Sequence, residues 1–446
     1  MHMQIHRAVS ILLTIVVLAG THRVGAGIIT PIADQATPIP GGSGSFIGFT
    51  PPQVNQGNIV FAATGTDGQR GIYRFVISTG SLSTVVDAGT ALPKPAGMTG
   101  TPLPSDINSF GLSMFASDVS FETPFGSSTE LQLLSTHGGL HQVTVVLSPS
   151  AAPFQPRTST DEKQVLVRTM IAIQPPQVAS LTYVKHFMSV LPNGDIPPSL
   201  SNGTDKMTFL ARGGNAEFSY HSGLINKTPG PYQLSSSAGM FKFTDGSQTA
   251  GPSAPGFFLP GESSGFTLAG GEPIFNDDGK AVVFLATAAP KNPDGSIGTA
   301  TQFGVYTKSA TSVLRAVATN HTVAPGYDGS TPLSSFGEVA IDGPNIVFTA
   351  APVGGPAGIY GESVGSLSKI ISVGDQLEGK VINSLSFSDD RPLSGRDLVF
   401  VAGFEDGSTG LFVADVPEPA AAALLALATL LPFCRHRNRR RSSCPI

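Results

Sequence analysis

The sequence predicts an all-β fold assembled from repeated four-stranded units. Composition is the first reason: of 446 residues 52 are Gly and 36 are Pro, and only 13% are charged. Such a chain is rich in short strands and turns and poor in long helices. The second reason is a tetrapeptide ending in Phe that recurs along the chain, followed at a fixed distance by a Gly-aliphatic-aromatic triplet. The third is that the last unit lacks a strand, and the segment near the N-terminus resembles the missing one. Val, Ile, Leu and 27 Phe spread along the chain supply a core.

Residues 1–26 carry the three parts of a secretory signal: a weakly basic start (His2, His6, Arg7), an apolar run from Ala8 to Ala19, and Val24-Gly25-Ala26. Small residues at the first and third positions before the cut suit signal peptidase, which places cleavage after Ala26. The run is too short to span about 30 Å of hydrocarbon, so export is expected rather than anchoring.

The body, 27–415, repeats. Asn58-Ile-Val-Phe61 is followed by Gly71-Ile72-Tyr73, Asn345-Ile-Val-Phe348 by Gly358-Ile359-Tyr360, and Asp397-Leu-Val-Phe400 by Gly410-Leu411-Phe412, each triplet starting thirteen residues after its Asn or Asp. Weaker copies are Asp118-Val-Ser-Phe121 before Leu131-Gln-Leu133, Lys206-Met-Thr-Phe209 before Phe218-Ser-Tyr220, and Ala281-Val-Val-Phe284 before Gly304-Val-Tyr306. A Phe stands upstream of most copies (Phe46, Phe110, Phe275, Phe336, Phe387), and a β-branched stretch stands downstream (Leu82 to Val86, Leu140 to Val146, Val313 to Val317, Leu367 to Val373). Asp67-Gly68, Asp278-Gly279, Gly354-Gly355 and Asp406-Gly407 mark tight turns, because Gly accepts positive φ. Each unit therefore reads as four antiparallel strands.

The marker phenylalanines, at 61, 121, 209, 284, 348 and 400, are spaced by 60, 88, 75, 64 and 52 residues. Units of this size with four strands match the blades of a β-propeller better than the coils of a solenoid. The sixth unit ends at Asp415 without a fourth strand. Ile28 to Asp34 resembles the fourth-strand end Ser83 to Asp87 and is followed by a similar linker, so it is expected to complete the last blade and hide the sheet edge. That makes six blades. The excess between Ser148 and Pro198 is either a surface excursion or a degenerate seventh blade, with strands at Val165 to Ile173 and Leu181 to Leu191.

At the far end, 416–446, Val416-Pro417-Glu418-Pro419 leads into an Ala/Leu-rich run, Ala420 to Phe433, and then Arg435, Arg437, Arg439, Arg440 and Arg441. The apolar run can enter a bilayer, and the arginines hold that end in the cytoplasm. This order resembles the PEP-CTERM sorting signal of Gram-negative bacteria. The resemblance implies that an exosortase, a membrane enzyme, recognises Pro417, Glu418 and Pro419, removes the transient membrane segment with its arginine stop, and passes the body to the cell surface or extracellular matrix. Fourteen apolar residues fall short of the usual span of about 17 to 25, which favours processing over permanent anchoring. Both cysteines, Cys434 and Cys444, lie in this tail, so a processed protein has neither thiol nor disulfide. The body in turn resembles a group of uncharacterised bacterial surface proteins with tandem Asn/Asp-x-x-Phe repeats and Pro-Gly-Gly-Ser linkers, here Pro40-Gly41-Gly42-Ser43; that likeness implies no activity.

Without the seven basic residues at the two ends, 19 basic face 31 acidic residues. An acidic body repels phosphate, so nucleic acid is not expected as a partner. Gly261-Glu262-Ser263-Ser264-Gly265 matches a hydrolase elbow but sits in a Gly/Ser loop without the helix that the elbow needs. His137 and His141 would be metal ligands on a helix, yet Gly138-Gly139 between them signals a turn. Asn276-Asp277-Asp278-Gly279 and Asn292-Pro293-Asp294-Gly295-Ser296 are oxygen-rich but lack the bidentate Glu of a calcium loop, and read as hairpin turns. The repeated aromatics read as core rather than as a sugar platform, and Asn202, Asn226 and Asn320 head chance glycosylation matches.

No catalytic, cofactor or metal site is expected. The expected function is that of an exported, surface-sorted structural or binding module, with signal peptidase, an exosortase-like enzyme and an extracellular polysaccharide or surface protein as partners. The alternative is a surface polysaccharide hydrolase or lyase with its active site in the propeller channel.

Overall fold

The computed structural model describes residues 28–94, 311–388 and 391–417 continuously, and strands and short stretches between 112 and 309. The expected signal peptide and the tail from Glu418 onward lie outside the described residues. What is described is all-β, as expected, and falls into seven antiparallel sheets rather than six.

Sheet 1 holds β2 (Phe46–Phe49), β3 (Gln53–Asn55), β4 (Asn58–Gly65), β5 (Arg70–Val76) and β6 (Ser81–Asp87), and follows β1 (Ile29–Asp34). Sheet 2 is β7 (Leu112–Phe115), β8 (Asp118–Pro124), β9 (Glu130–Ser135) and β10 (His141–Leu147). The additional sheet 3 is β11 (Pro156–Thr158), β12 (Gln164–Ile171) and β13 (Thr182–Ser189). It occupies the excess between Ser148 and Pro198 and has strands where two were anticipated. It escaped the count of six because it carries no Phe marker. Sheet 4 is β14 (Lys206–Leu210), β15 (Glu217–Ser222), β16 (Ser236–Lys242) and β17 (Gln248–Ala250). Sheet 5 is β18 (Phe266–Gly270), β19 (Ile274–Phe275), β20 (Ala281–Pro290), β21 (Gln302–Ser309) and β22 (Arg315–Thr319). Sheet 6 is β23 (Leu333–Asp342), β24 (Asn345–Pro352), β25 (Gly358–Ser363) and β26 (Ser366–Ser372). Sheet 7 is β27 (Gln376–Leu377), β28 (Lys380–Ser386), β29 (Leu393–Ser394), β30 (Asp397–Phe404) and β31 (Thr409–Asp415), completed by β1.

The motif spacing follows from hairpin register. Phe61 pairs with Tyr73, Phe348 with Tyr360, Phe400 with Phe412 and Phe284 with Tyr306. The rings in these pairs lie 5.7–6.1 Å apart, each fixing the centre of its sheet. In the weak copies the partner differs from the one expected. Phe121 faces Leu134, one residue beyond Leu131-Gln-Leu133, and Phe209 faces Phe218 rather than Tyr220, because those hairpins have different turn lengths.

Each triplet glycine makes room for its neighbours. A Cβ on Gly71 would meet the Val86 carbonyl oxygen at 2.7 Å, and one on Gly410 would meet the Phe412 ring at 2.8 Å. Opposite the triplet the fourth strands of sheets 1, 5 and 6 carry the same bulge, after Ile72, Val305 and Ile359. β1 repeats it between Pro31 and Ala33, opposite Phe412 and Leu411, so it is a true fourth strand.

Strands β4, β24 and β30 are buried on both faces, which is why Ile-Val-Phe is a continuous apolar run rather than an alternating one. The faces are assigned consistently. Phe348 and Tyr360 pack on sheet 5 and Val347 and Ile359 on sheet 7, while Phe400 and Phe412 pack on sheet 6. Val399, Leu411 and Val413 pack on sheet 1 with Phe61 and Tyr73, and Val60 and Ile72 pack on sheet 2 with Phe121. Sheets 5, 6, 7, 1 and 2 thus succeed one another face to face, and the last sheet of the chain packs on the first. The strand pairing of β1 adds Ile32 and Ala33 to that junction.

Candidate functional site: a repeated rim of turns

In a four-stranded meander the exit of the last strand and the turn between the second and third lie at one end. The exits share a hydrogen-bonded box of four residues. In Asp34-Gln-Ala-Thr37 the Thr37 hydroxyl donates to Asp34 Oδ1 (2.7 Å) and accepts the Asp34 N–H (2.9 Å). Asp87-Ala-Gly-Thr90 repeats both bonds at 2.9 and 3.0 Å. Thr319 and Thr322 keep the backbone half at 2.8 Å. Ser372 and Asp375 reverse the roles, with the Ser372 hydroxyl and N–H both donating to Asp375 Oδ2 (2.9 and 2.8 Å). Burial pushes the Asp375 carboxyl up, but the Ser372 and Lys369 hydrogen bonds outweigh it and hold the carboxyl below its usual range.

After the box the chain makes a small hairpin, closed by Pro38 and Ser45, by Val323 and Pro332, or by the β27–β28 pair. Its tip meets the neighbouring turn. Ser43 donates to Asp67 Oδ2 (2.6 Å) and accepts from Gln69 (3.3 Å). Lys380 Nζ lies 3.1 Å from Asp406 and donates to Ser408 Oγ at 2.8 Å. Asp406 is drawn down to about 2 by the Ser408 hydroxyl and N–H, aided by Lys380, and Asp328 to about 2 by the Ser330 and Thr331 donors. The rim therefore presents hydroxyls and ionised carboxylates already held in place by their own turns. His321 is exposed, and its backbone N–H donates to Thr319 Oγ1 at 3.2 Å.

The opposite end joins the sheets. The Asn345 amide donates to the Gly395 carbonyl (2.8 Å), the Gly395 N–H to Asp342, and the Gln56 N–H to Ser394 Oγ (3.1 Å). Arg315 reaches from sheet 5 to the fully buried Glu362 of sheet 6 (2.7 Å), which also takes the Gly365 N–H. The first motif residue, Asn345, thus acts in the sheet-to-sheet contact, which its spacing alone does not reveal.

Among the site residues expected from sequence, Pro417 follows directly on Val416, which is fully buried against sheet 6. Ala26, Glu418, Pro419, Arg435, Arg437, Arg439, Arg440 and Arg441 lie outside the described residues, as do His137, Asn202, Asn226 and 261–265. His141 opens β10. Asn276 Oδ1 accepts the Lys280 and Ala281 N–H groups (2.9 and 2.8 Å), closing the β19–β20 hairpin as a turn residue does. Asn320 is similarly committed to Phe303 and Thr301. Among the described residues no three His, Cys, Asp or Glu side chains come together to hold a metal, and no helix is long and apolar enough to cross a membrane.

Every marker Phe whose side chain is described is wholly buried, so these rings are core. The Tyr73, Tyr306 and Tyr360 hydroxyls have no hydrogen-bond partner among the described residues. Burial pushes the first two up to about 12 and Tyr360 higher still, Asp87 adding to the effect at Tyr73. They are neutral, inert groups at any physiological pH.

No family model matches the chain, and no curated protein matches it. Among solved structures the chain is similar to a prolyl endopeptidase, at 14% identity over 84% of this chain and 51% of the other, with a TM-score of 0.40. It is also similar to an acylaminoacyl peptidase of Pyrococcus horikoshii (9% identity, 85% and 53% covered, TM-score 0.45) and to the polysaccharide lyase Uly1 (10%, 89% and 98%, 0.38). The chain spans about half the length of the two peptidases. At these levels of similarity none of the three bears on what this chain does.

Proposed function

We propose that the chain is an exported β-propeller that serves as a non-catalytic structural or binding module at the cell surface or in the extracellular matrix. Its seven sheets are the blades, with β1 closing the ring. The observation that carries the reading is the arrangement of the two ends: a signal-like segment precedes β1, and Pro417-Glu418-Pro419, an apolar run and five arginines follow β31 without a linker. Signal peptidase acts after Ala26. An exosortase-like enzyme acts on the tail during transient membrane insertion, and an extracellular polysaccharide or surface protein is the partner of the mature body. The non-catalytic reading is supported by the first strands β2, β23 and β28. β2 carries no charged side chain, and those of β23 and β28 are spent on neighbouring elements: Glu338 accepts the Phe387 N–H (3.2 Å), Asp342 that of Gly395, and Lys380 pairs with Asp406.

Cells expressing the wild type or Pro417→Ala/Glu418→Ala are fractionated, and the mature C-terminus is read by mass spectrometry. The wild type is expected outside the inner membrane without its tail, and the variant in the membrane with it. An intact tail on the wild type would reject the reading. Turnover of a polysaccharide by the purified body would instead establish the hydrolase or lyase alternative.

A further inference from the structure

The last strand, β31, ends at Asp415, and Val416, the single residue between it and the sorting tripeptide, is gripped. Asp415, the last residue of β31, donates its N–H to the Ile28 carbonyl at 3.1 Å, so the first strand holds the end of the last. Val416 is fully buried in the sheet 6–sheet 7 core, where a methyl on Gly361 would stand 3.1 Å from its Cγ1. Its N–H donates to the Arg396 carbonyl (2.8 Å), and the Arg396 Nε donates back to the Val416 carbonyl (3.0 Å). The other arm of the same guanidinium pairs with Asp415 Oδ2 at 2.8 Å. Arg396 therefore clamps both residues that precede Pro417.

An endopeptidase takes its substrate as an extended strand, with several residues on each side of the cut held in its cleft. A cut near Pro417-Glu418-Pro419 would need residues 413–416 in that cleft, and in the folded body these residues are β31 and its anchor. We propose that the closed body shields its own sorting site: tail removal requires the end of β31 to unlatch, and the Arg396 clamp sets how often it does. This inference rests on the sorting reading above. Cutting that waits on opening tracks the population of the opened form. The clamp thus makes processing faster for a chain that has not yet closed its last sheet than for one that has.

The test compares the full-length wild type with two variants in cells, by pulse–chase of tail removal. One carries a Gly/Ser spacer of about six residues between Val416 and Pro417, which leaves the core untouched; the other is Arg396→Met, which keeps the stem and removes the clamp. Tail removal is expected to accelerate in both, by about tenfold in Arg396→Met. Hydrogen exchange on the purified full-length proteins supplies a readout without the processing enzyme. The Val416 amide is expected to be protected in the wild type and the spacer variant, and to exchange about tenfold faster in Arg396→Met. Equal processing rates in wild type and spacer variant would overturn the shielding while leaving sorting intact. So would a Val416 amide that exchanges like an unstructured one. Tails retained on all three proteins would instead remove the sorting reading, and the shielding with it.

Discussion

Sheet 1 takes its strands from one continuous stretch, Phe46–Asp87, whereas sheet 7 takes its outer strand from Ile29–Asp34 and the rest from 376–415. Despite this they share the aromatic pair across the central strands, the bulge opposite the triplet, and the box at the exit of the fourth strand. The shared features all reside in local residues: a glycine that admits a neighbouring group, an Asp and a Thr three apart, a Phe one hairpin register from an aromatic. Connectivity is therefore not what shapes a sheet. It decides only whether closure depends on a strand that is already attached or on one that must return from the far end of the chain.

The largest effect should come from β1, the strand that sheet 7 takes from the far end of the chain and for which sheet 1 has no counterpart. Deleting 28–34 removes Ile32 and Ala33 from the junction of sheets 7 and 1 and bares the edge of β31. Thermal unfolding should show a loss of more than about 4 kcal/mol, with self-association by gel filtration.

Next are the paired aromatics, where the sheets should behave alike. Phe61→Ala and Phe400→Ala each remove a fully buried ring and should each cost about 3–5 kcal/mol in urea unfolding. A large inequality would mean that connectivity matters to the core after all.

The glycines sharpen the comparison, because what crowds them differs. Gly71→Ala pushes a methyl against a backbone carbonyl, whereas Gly410→Ala pushes it against the edge of a side-chain ring. Both should destabilise by roughly 1–3 kcal/mol, the first more than the second. The smallest effect should be at the boxes. Thr37→Val and Thr90→Val each break the same pair of hydrogen bonds and should cost about 1 kcal/mol apiece, equally in the two sheets.

The sequence disclosed the hairpins that carry Phe and a triplet at a fixed offset, and the kinship of Ile28–Asp34 with a fourth strand, because both are written in residue types at constant spacing. Three things were not legible. Sheet 3 has no Phe marker to count. The first strands were aligned on Phe46, Phe336 and Phe387, but their bulges make Phe46, Leu333 and Ile382 equivalent, since the position asks only for a buried apolar side chain. The box hides its likeness because Asp and Thr, two threonines, or Ser and Asp in reverse order satisfy the same hydrogen bonds. As for function, sequence points to the two ends, whereas the rim of turns and the Arg396 clamp emerge only once strands from distant parts of the chain are set side by side.

The central claim, that the N-terminal strand closes the last sheet, is tested most directly by a cross-link. Ile29 faces Ala414. Because Asp415 bonds to Ile28, the Ile29–Ala414 pair is of the closer, non-hydrogen-bonded kind, whose Cα separation of about 4.5 Å suits a disulfide. Ile29→Cys/Ala414→Cys in the body without its tail should oxidise to an intramolecular disulfide under native conditions, seen as one linked peptide by mass spectrometry. Free thiols, or disulfides only between molecules, would contradict the closure.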